Sequence, residues 1–479
     1  MKNFSIKDLA KIIKASHESR ATSDEQRFFT GVSIDSRTTK TGDCFFAIPG
    51  ENFDGHNYIS DVFAKGASCA VVSRDIDSGR RRSKAMATER GNCLLRVSDT
   101  IKALGDFARQ YRRQCAFKVV AITGSVGKTT VRQIAYHVLS RHYRVYQSPK
   151  NFNNQIGLPL SLLGADPGHQ IVITELGTNH PGEIAYLANI AQPDIAVVTN
   201  VHPAHLEGFG DVQAIAKEKM SISQGLPADG ILIINADLVK GLNNYQLPIT
   251  NYQMRTFSKS DTSDFQARNI SFDGANSRFT IDGADVYLPL AGPGNIENAL
   301  AAWAVCSQFG ITIDDFAQAV KTLSAVPMRA ELLQIGTLTV LNDCYNANPA
   351  SMKNALDILA NLTSKSAGCL TAEKRRAVFI CGDMAELGQY TQSLHAEMGV
   401  AVAQAKVRLL LTVGKSAKIV ADSAKEAAKY DLQTKSFTDA LSACNNLKKF
   451  IKDYDIVLVK GSRIDKLELT VEKLKELFA

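Results

Sequence analysis

A chain of 479 residues, 45% hydrophobic and 22% charged, is long enough for about three domains and has the balance of an ordinary globular protein. Its net charge of +7 suits anionic ligands such as nucleotides but gathers into no patch of the kind that binds nucleic acid. Nine cysteines without a Cys-x-x-Cys pair argue against a zinc ribbon and for buried, reduced thiols in the cytoplasm, and no run reaches the roughly 18 apolar residues of a membrane span.

Residues 1–15 read as an amphipathic helix with interspersed lysines and no apolar signal core. A small α/β unit follows, with strands expected at Val32–Ile34, Cys44–Ile48 and Cys69–Val72 and a helix starting at Asp61–Lys65. Ser36 and Arg37 stand at a strand end, suited either to an anionic ligand or to a turn held by side-chain hydrogen bonds. Arg80, Arg81, Arg82 and Lys84 sit in a polar stretch that reads as a solvated loop. Ile101–Cys115 has helical apolar spacing, which sets a first domain boundary near 97.

The chain then reads KVVAITGSVGKTT from Lys118 to Thr130. A β-branched strand, a loop with Gly124 and Gly127, Lys128-Thr129 and a helix make the layout of a phosphate-binding loop. Backbone N–H groups close around phosphate oxygens, the helix N-terminus adds partial positive charge, the lysine adds a full one, and the threonine hydroxyl suits Mg²⁺. The spacing is shorter than G-x-x-x-x-G-K-[ST], since Ile122 stands where that pattern has glycine. An amide-rich loop with Asn151 and Asn154 follows, then a strand at Ile171–Thr174 ending in Glu175, placed to hold Mg²⁺ at a ligand crevice. The strand Ile195–Thr199 runs into His202 and His205, and the helix Val212–Ser221 carries Lys217, Glu218 and Lys219, by pattern a solvated face. After a strand at Ile231–Ile234, Ala267–Phe272, Arg278–Ile281 and Val286–Leu290 predict a mixed β extension of the parallel core. Asn295 and Asn298 open the helix Ala299–Gln308, either as caps or as amides that read a purine edge.

A second boundary falls near Ala325–Pro327. Beyond it, strands at Leu338–Leu341, Ala377–Cys381, Leu409–Val413 and Ile456–Val459 each end in Gly, Asp, Asn or Lys, which describes a second open parallel sheet with its ligand edge there. Residues 365–376 read as a loop insertion.

Taken together, T-G-S-V-G-K-T, Glu175 in T-E-L-G-T-N, T-N-V-H-P-A-H-L, A-K-E-K-M, G-N-I-E-N-A-L-A-A and L-N-D-C-Y-N-A-N-P resemble, in that order, the Mur ligases, ATP-dependent enzymes that build the peptide of the bacterial cell-wall precursor. D-S-R-T, N-F-N-N-Q-I-G-L-P, D-x-Y-N-A-N-P-x-S-M and G-D-M-x-E-L-G are most similar to the member that adds D-alanyl-D-alanine to UDP-MurNAc-tripeptide. The resemblance covers essentially the whole chain. It departs at Gly294, where the family often has histidine, and in the longer stretches 77–92 and 365–376.

The resemblance implies three α/β domains: a substrate domain at 1–97, a central phosphate-loop domain at 98–326 and a Rossmann-like domain at 327–479. It implies ATP, two Mg²⁺ ions and an acyl-phosphate intermediate. Gly124, Ser125, Val126, Gly127, Lys128, Thr129 and Thr130 would hold phosphates; Asn295, Asn298, Arg329, Asp343 and Asn346 would contact the rest of the nucleotide. Thr129 and Glu175 would ligate one ion and His205 the second, supported by a carbamate on Lys219, with Lys217 as the register alternative. Ser36 and Arg37 would lie in the UDP-sugar domain, Asn151 and Asn154 would contact substrate from the loop near the phosphate end, and the segments around Asn348, Asp383 and Glu386 would sit near the incoming dipeptide. The implied state is a monomer in the bacterial cytoplasm. Rival readings are another Mur-type or folylpolyglutamate synthetase-like ligase, or a phosphate-loop switch ATPase, which would leave His205 and the third domain idle.

Overall fold

The computed structural model describes residues 4–17, 27–76, 93–241, 252–260, 262–364 and 375–479. The basic run at Arg80–Arg82 and Lys84 therefore lies outside the described residues, as does most of the 365–376 stretch; Arg376 at its end pairs with Asp455 (2.7 Å). Three α/β domains follow one another, each built on its own largely parallel sheet.

The first sheet runs, edge to edge, Ser16–His17, Cys93–Arg96, Cys69–Val72, Asp43–Phe46 and Gly31–Ser33, with all but the first pairing parallel. The expected N-terminal helix is shorter than its spacing suggested. Phe4–Ser5 pairs as a strand with Phe28–Phe29, and the helix is confined to Ile6–Ile12, because the Ser5 side chain accepts the Asp8 N–H and caps it there. Phe4 and Phe29 pack on Phe107 of the helix Thr100–Gln114, whose other buried residues join the central sheet at Val119 and Ala121. The apolar core thus runs without a break across the segment near position 97.

The central sheet has seven parallel strands in the order Phe265–Gln266, Gln253–Ser258, Ile231–Asn235, Ile195–Val198, Lys118–Thr123, Ile171–Glu175 and Val145–Gln147. The chain leaves Lys118–Thr123 toward one edge, returns beside it, then builds out on the other side. That reversal opens a crevice at the strand carboxyl ends. The expected mixed extension is a separate antiparallel sheet, Arg268–Asp273, Asn276–Ile281 and Ala284–Leu288. Its middle strand alternates buried and exposed residues, so only one face has apolar cover to offer the helix Pro293–Ser307.

The third sheet runs Glu331–Ile335, Leu338–Asn342, Ile456–Lys460, Ala377–Cys381, Leu409–Val413 and Gln433–Phe437, parallel except for the first strand. The described cysteines are free thiols, buried except for Cys115. Among the described residues no helix is long and apolar enough to cross a membrane.

Candidate active site

Two glycines shape the loop after Lys118–Thr123. Gly124 (φ +145°) and Gly127 (φ +91°) adopt backbone that L-residues avoid, and a Cβ on either would collide with Thr199 Oγ1 or Asn298 Oδ1 respectively. The next strand's end holds the loop in shape. Asn200 Oδ1 accepts the Val126 N–H (2.9 Å), Asn200 O accepts the Ser125 N–H (3.1 Å), and Thr199 Oγ1 donates to Val126 O (2.6 Å). The Ser125 and Val126 amides, expected to face phosphate, are therefore already engaged. Those of Gly127 to Thr130 precede the first intrahelical bond, from Val131 N to Gly127 O, and the helix Lys128–Leu139 has no side-chain cap. These N–H groups, with the helix dipole behind them, are the donors that the loop leaves to the crevice, an arrangement suited to an anion. Lys128 Nζ donates back to Gly124 O (2.6 Å). Burial pulls its ammonium down to about 8, opposed by the Glu175 charge and reinforced by Arg329.

Glu175 ends the neighbouring strand, beside Ile122, and is 3% exposed. Its Oε2 accepts the Thr129 hydroxyl (3.1 Å), while Oε1 lies 2.7 Å from Arg132 Nε at an angle that makes no hydrogen bond to either atom. Arg132, on the phosphate-loop helix, also donates to Ser148 O and Lys150 O, and so joins this carboxylate to the amide-rich loop. Sequence reasoning passed over Arg132. The available signal was its spacing, four residues after Lys128 and on the same helix face.

The two histidines diverge. His202 is held through its backbone by Ser125 Oγ (3.0 Å), and burial lowers its ring below the usual histidine value. His205 (φ +56°) turns its Nδ1 onto Glu386 of the third domain, whose carboxyl is lowered by that bond. The helix Val212–Met220 is no solvated face. Lys217 is exposed, but Glu218 is buried and accepts the N–H groups of Gly182 and Ile184 (both 2.7 Å). Lys219 is 2% exposed, with no hydrogen bond or ion pair among the described residues. Burial, and next the Lys128 charge, hold its ammonium well below the ordinary lysine value.

The paired amides cap nothing. Helix Pro293–Ser307 starts at Gly292 without a side-chain cap, Asn295 Nδ2 donates to Ala291 O (2.8 Å), and Asn298 Nδ2 to Asn295 Oδ1 (3.1 Å). Asn295, Thr130, Gln133 and Arg329 line a small cleft beside the phosphate loop. At Gly294, the N–H donates to Asn354 Oδ1 of the third domain (3.1 Å), where a Cβ would be crowded by the same atom. Arg329 stacks on Tyr345 with its Cζ 3.9 Å from the ring centre. Asp343 is already engaged: Oδ2 accepts from buried Lys460 (2.6 Å) and Oδ1 from Ala330 N (3.0 Å). Asn346 is exposed, its Oδ1 accepting the Ala347 N–H.

Several expected substrate contacts carry local structure in this state. Arg37 pairs with Asp35 (2.7 Å), lowering that carboxyl to about 2, and Ser36 O accepts from Lys65 (2.6 Å). Asn154 Oδ1 accepts from Gly157 N (2.8 Å) at the start of a helix, and Asn151 O accepts from Asn153 N. Asn348 Oδ1 accepts from Ser351 N (2.9 Å), again at a helix start. Asp383 Oδ1 accepts from Ala417 N (2.6 Å), and neighbouring Asp465 is raised to about 7, first by burial and then by Asp383.

The arrangement has relatives. Family profiles match in three segments: residues 28–112 (Mur ligase family, catalytic domain), 122–306 (Mur ligase middle domain) and 328–463 (Mur ligase, glutamate ligase domain). The chain is 35% identical to the UDP-N-acetylmuramoyl-tripeptide–D-alanyl-D-alanine ligase of Escherichia coli over 93% of both chains, and 31% identical to that of Bacillus subtilis over 98% of both. Among solved structures it is similar to MurF from Acinetobacter baumannii (28% identity, TM-score 0.84, 99% of both chains). It is also similar to MurF ligase from Thermotoga maritima in complex with ADP (25% identity, TM-score 0.78, 93% of this chain and 97% of that one). With likeness of this extent, and a phosphate loop set against a strand-end glutamate, the chain belongs to the Mur ligase family of ATP-dependent ligases.

Proposed function

We infer that this protein joins D-alanyl-D-alanine to UDP-MurNAc-tripeptide with cleavage of ATP, giving UDP-MurNAc-pentapeptide, ADP and phosphate. The observation that carries the reading is the Lys128–Thr129–Glu175 cluster at the carboxyl edge of two adjacent strands, in a chain that matches dipeptide-adding ligases from end to end.

Lys128 and the amides of Gly127 to Thr130 would neutralise the β- and γ-phosphates, with Asn298 lying against Gly127. The Thr129 hydroxyl and the poorly partnered Glu175 Oε1 are hard oxygen donors, which suit Mg²⁺. Mg²⁺ held there would supply positive charge to phosphate oxygens. His205 and Lys219 would serve a second ion. Lys219 fits a carbamate because an unpartnered amine held below its ordinary value is the nucleophilic form; its nitrogen adds to CO₂ with loss of a proton. Asn295 and Arg329 would line the adenine side. The substrate carboxylate takes the γ-phosphoryl group, the dipeptide amine attacks the acyl carbon, and phosphate leaves. The protein contributes alignment, charge and exclusion of water. The domain 1–97 would hold the UDP substrate and 98–326 ATP, while 327–479 would contact both the nucleotide and the dipeptide, in a cytoplasmic monomer.

The test is phosphate release from ATP and Mg²⁺ with UDP-MurNAc-tripeptide, with and without D-Ala-D-Ala. Release that needs both, with a pentapeptide product by mass spectrometry, is expected. Brisk release with neither overturns the reading in favour of a switch ATPase.

A further inference from the structure

The family resemblance implies Glu386 as a contact for the incoming dipeptide; in the fold its carboxylate meets His205. The segment from His205 to Ile215 belongs to the central domain by chain order, but Leu206, Phe209 and Ile215 are buried in one apolar cluster with Met384 and Leu387 of the third domain. Glu207 N donates to Glu386 O (3.1 Å), and Gly388 (φ +54°) brings its backbone so close that an added Cβ would lie 3.3 Å from Glu207 Cα. This docking aims the Glu386 carboxylate at His205 Nδ1. Both residues hold left-handed backbone, φ +56° and +61°, a local strain that the packed surroundings sustain.

We propose that Glu386 is a positioning residue for His205: by accepting Nδ1–H, it fixes the ring tautomer and leaves the Nε2 lone pair for a divalent cation, so that the second metal site is complete only when the third domain is docked. A carboxylate behind a metal-binding imidazole orients the ring and raises its basicity, and its loss typically lowers metal affinity ~10–100-fold. Because the carboxylate and the imidazole come from different domains, metal affinity and domain docking are linked: each favours the other. The inference rests on the ligase reading only in taking His205 as a metal ligand.

The test is Mn²⁺ binding, followed by electron paramagnetic resonance on the full-length protein with a non-hydrolysable ATP analogue, for wild type, Glu386→Ala, Glu386→Gln, His205→Ala and the Ala/Ala double variant. Glu386→Ala should weaken one Mn²⁺ at least about tenfold. Glu386→Gln, which keeps an acceptor oxygen, should recover part of that loss, and Glu386→Ala should add nothing in the His205→Ala background. Additive losses, unchanged Mn²⁺ binding in Glu386→Ala or in His205→Ala, or a raised KM for D-Ala-D-Ala with Mn²⁺ binding intact would each overturn it. Dipeptide-dependent phosphate release by the wild type tests the ligase reading separately.

Discussion

Arg132 Nε lies 2.7 Å from Glu175 Oε1, both side chains are buried, and the same arginine reaches the carbonyls of Ser148 and Lys150. The pair ties the phosphate-loop helix, the carboxylate at the end of the next strand and the loop beyond into one unit. Removing one partner of a buried ion pair leaves an uncompensated charge, at a cost of roughly 3–5 kcal/mol. Arg132→Ala should therefore lower the thermal midpoint by several degrees and depress kcat, with Arg132→Lys intermediate. Calorimetry and steady-state kinetics check this; a variant with both wild-type midpoint and kcat contradicts the role.

Lys128 should give nucleotide binding a pH dependence. Its ammonium, pulled to about 8 by burial, is charged below that pH and increasingly neutral above it. ADP affinity is accordingly expected to hold from pH 6 to 7 and to weaken as pH rises through 8 and 9, with proton uptake on binding at the higher values. Titration calorimetry in buffers of different ionisation enthalpy reads both effects. Lys128→Arg, which stays charged, should abolish the proton uptake even if it binds more weakly.

Lys219 and Lys217 make opposite predictions although they are two residues apart. Exposed Lys217→Ala should behave as wild type. Buried Lys219→Ala should lose most activity, and wild-type enzyme stripped of CO₂ should lose activity that bicarbonate restores. Activity indifferent to CO₂, together with an unmodified Lys219 in intact-protein mass spectra under native conditions, would remove the carbamate from the account.

The buried Lys460–Asp343 pair (2.6 Å) also holds the inter-domain linker, because Asp343 Oδ1 binds Ala330 N next to Arg329. Lys460→Met should cost roughly 3–5 kcal/mol of local stability and loosen the Arg329–Tyr345 stack at the cleft beside the phosphate loop. Hydrogen exchange of the Ala330 amide should rise, and ADP should bind more weakly. Unchanged exchange at Ala330 argues against the link.

Much of this was legible in the chain. The buried strands Cys69–Val72, Ala377–Cys381 and Leu409–Val413 are apolar runs interrupted only by Thr412, and their expected bounds match the observed ones. Val145–Gln147, Glu331–Ile335 and Gln433–Phe437 were not expected. They are partly exposed edge strands whose polar alternation carries little periodic signal. The phosphate loop was readable because glycine, lysine and threonine have few other reasons to stand in that order. Burial of Glu218 and Lys219 was not, since a charged pair on a helix looks the same whether it faces solvent or a neighbouring helix start; only the Gly182 and Ile184 amides decide it. Arg132 and the Glu386–His205 pairing join segments 43 and 181 residues apart, a relation that depends on topology and not on local pattern.

The most direct test of the account is the fate of oxygen. UDP-MurNAc-tripeptide labelled with ¹⁸O in its terminal carboxylate should pass one labelled atom to the released phosphate, seen as an isotope shift in ³¹P resonance, and only when D-Ala-D-Ala is consumed. Phosphate that emerges unlabelled while pentapeptide forms would contradict transfer of the γ-phosphoryl group to the substrate carboxylate.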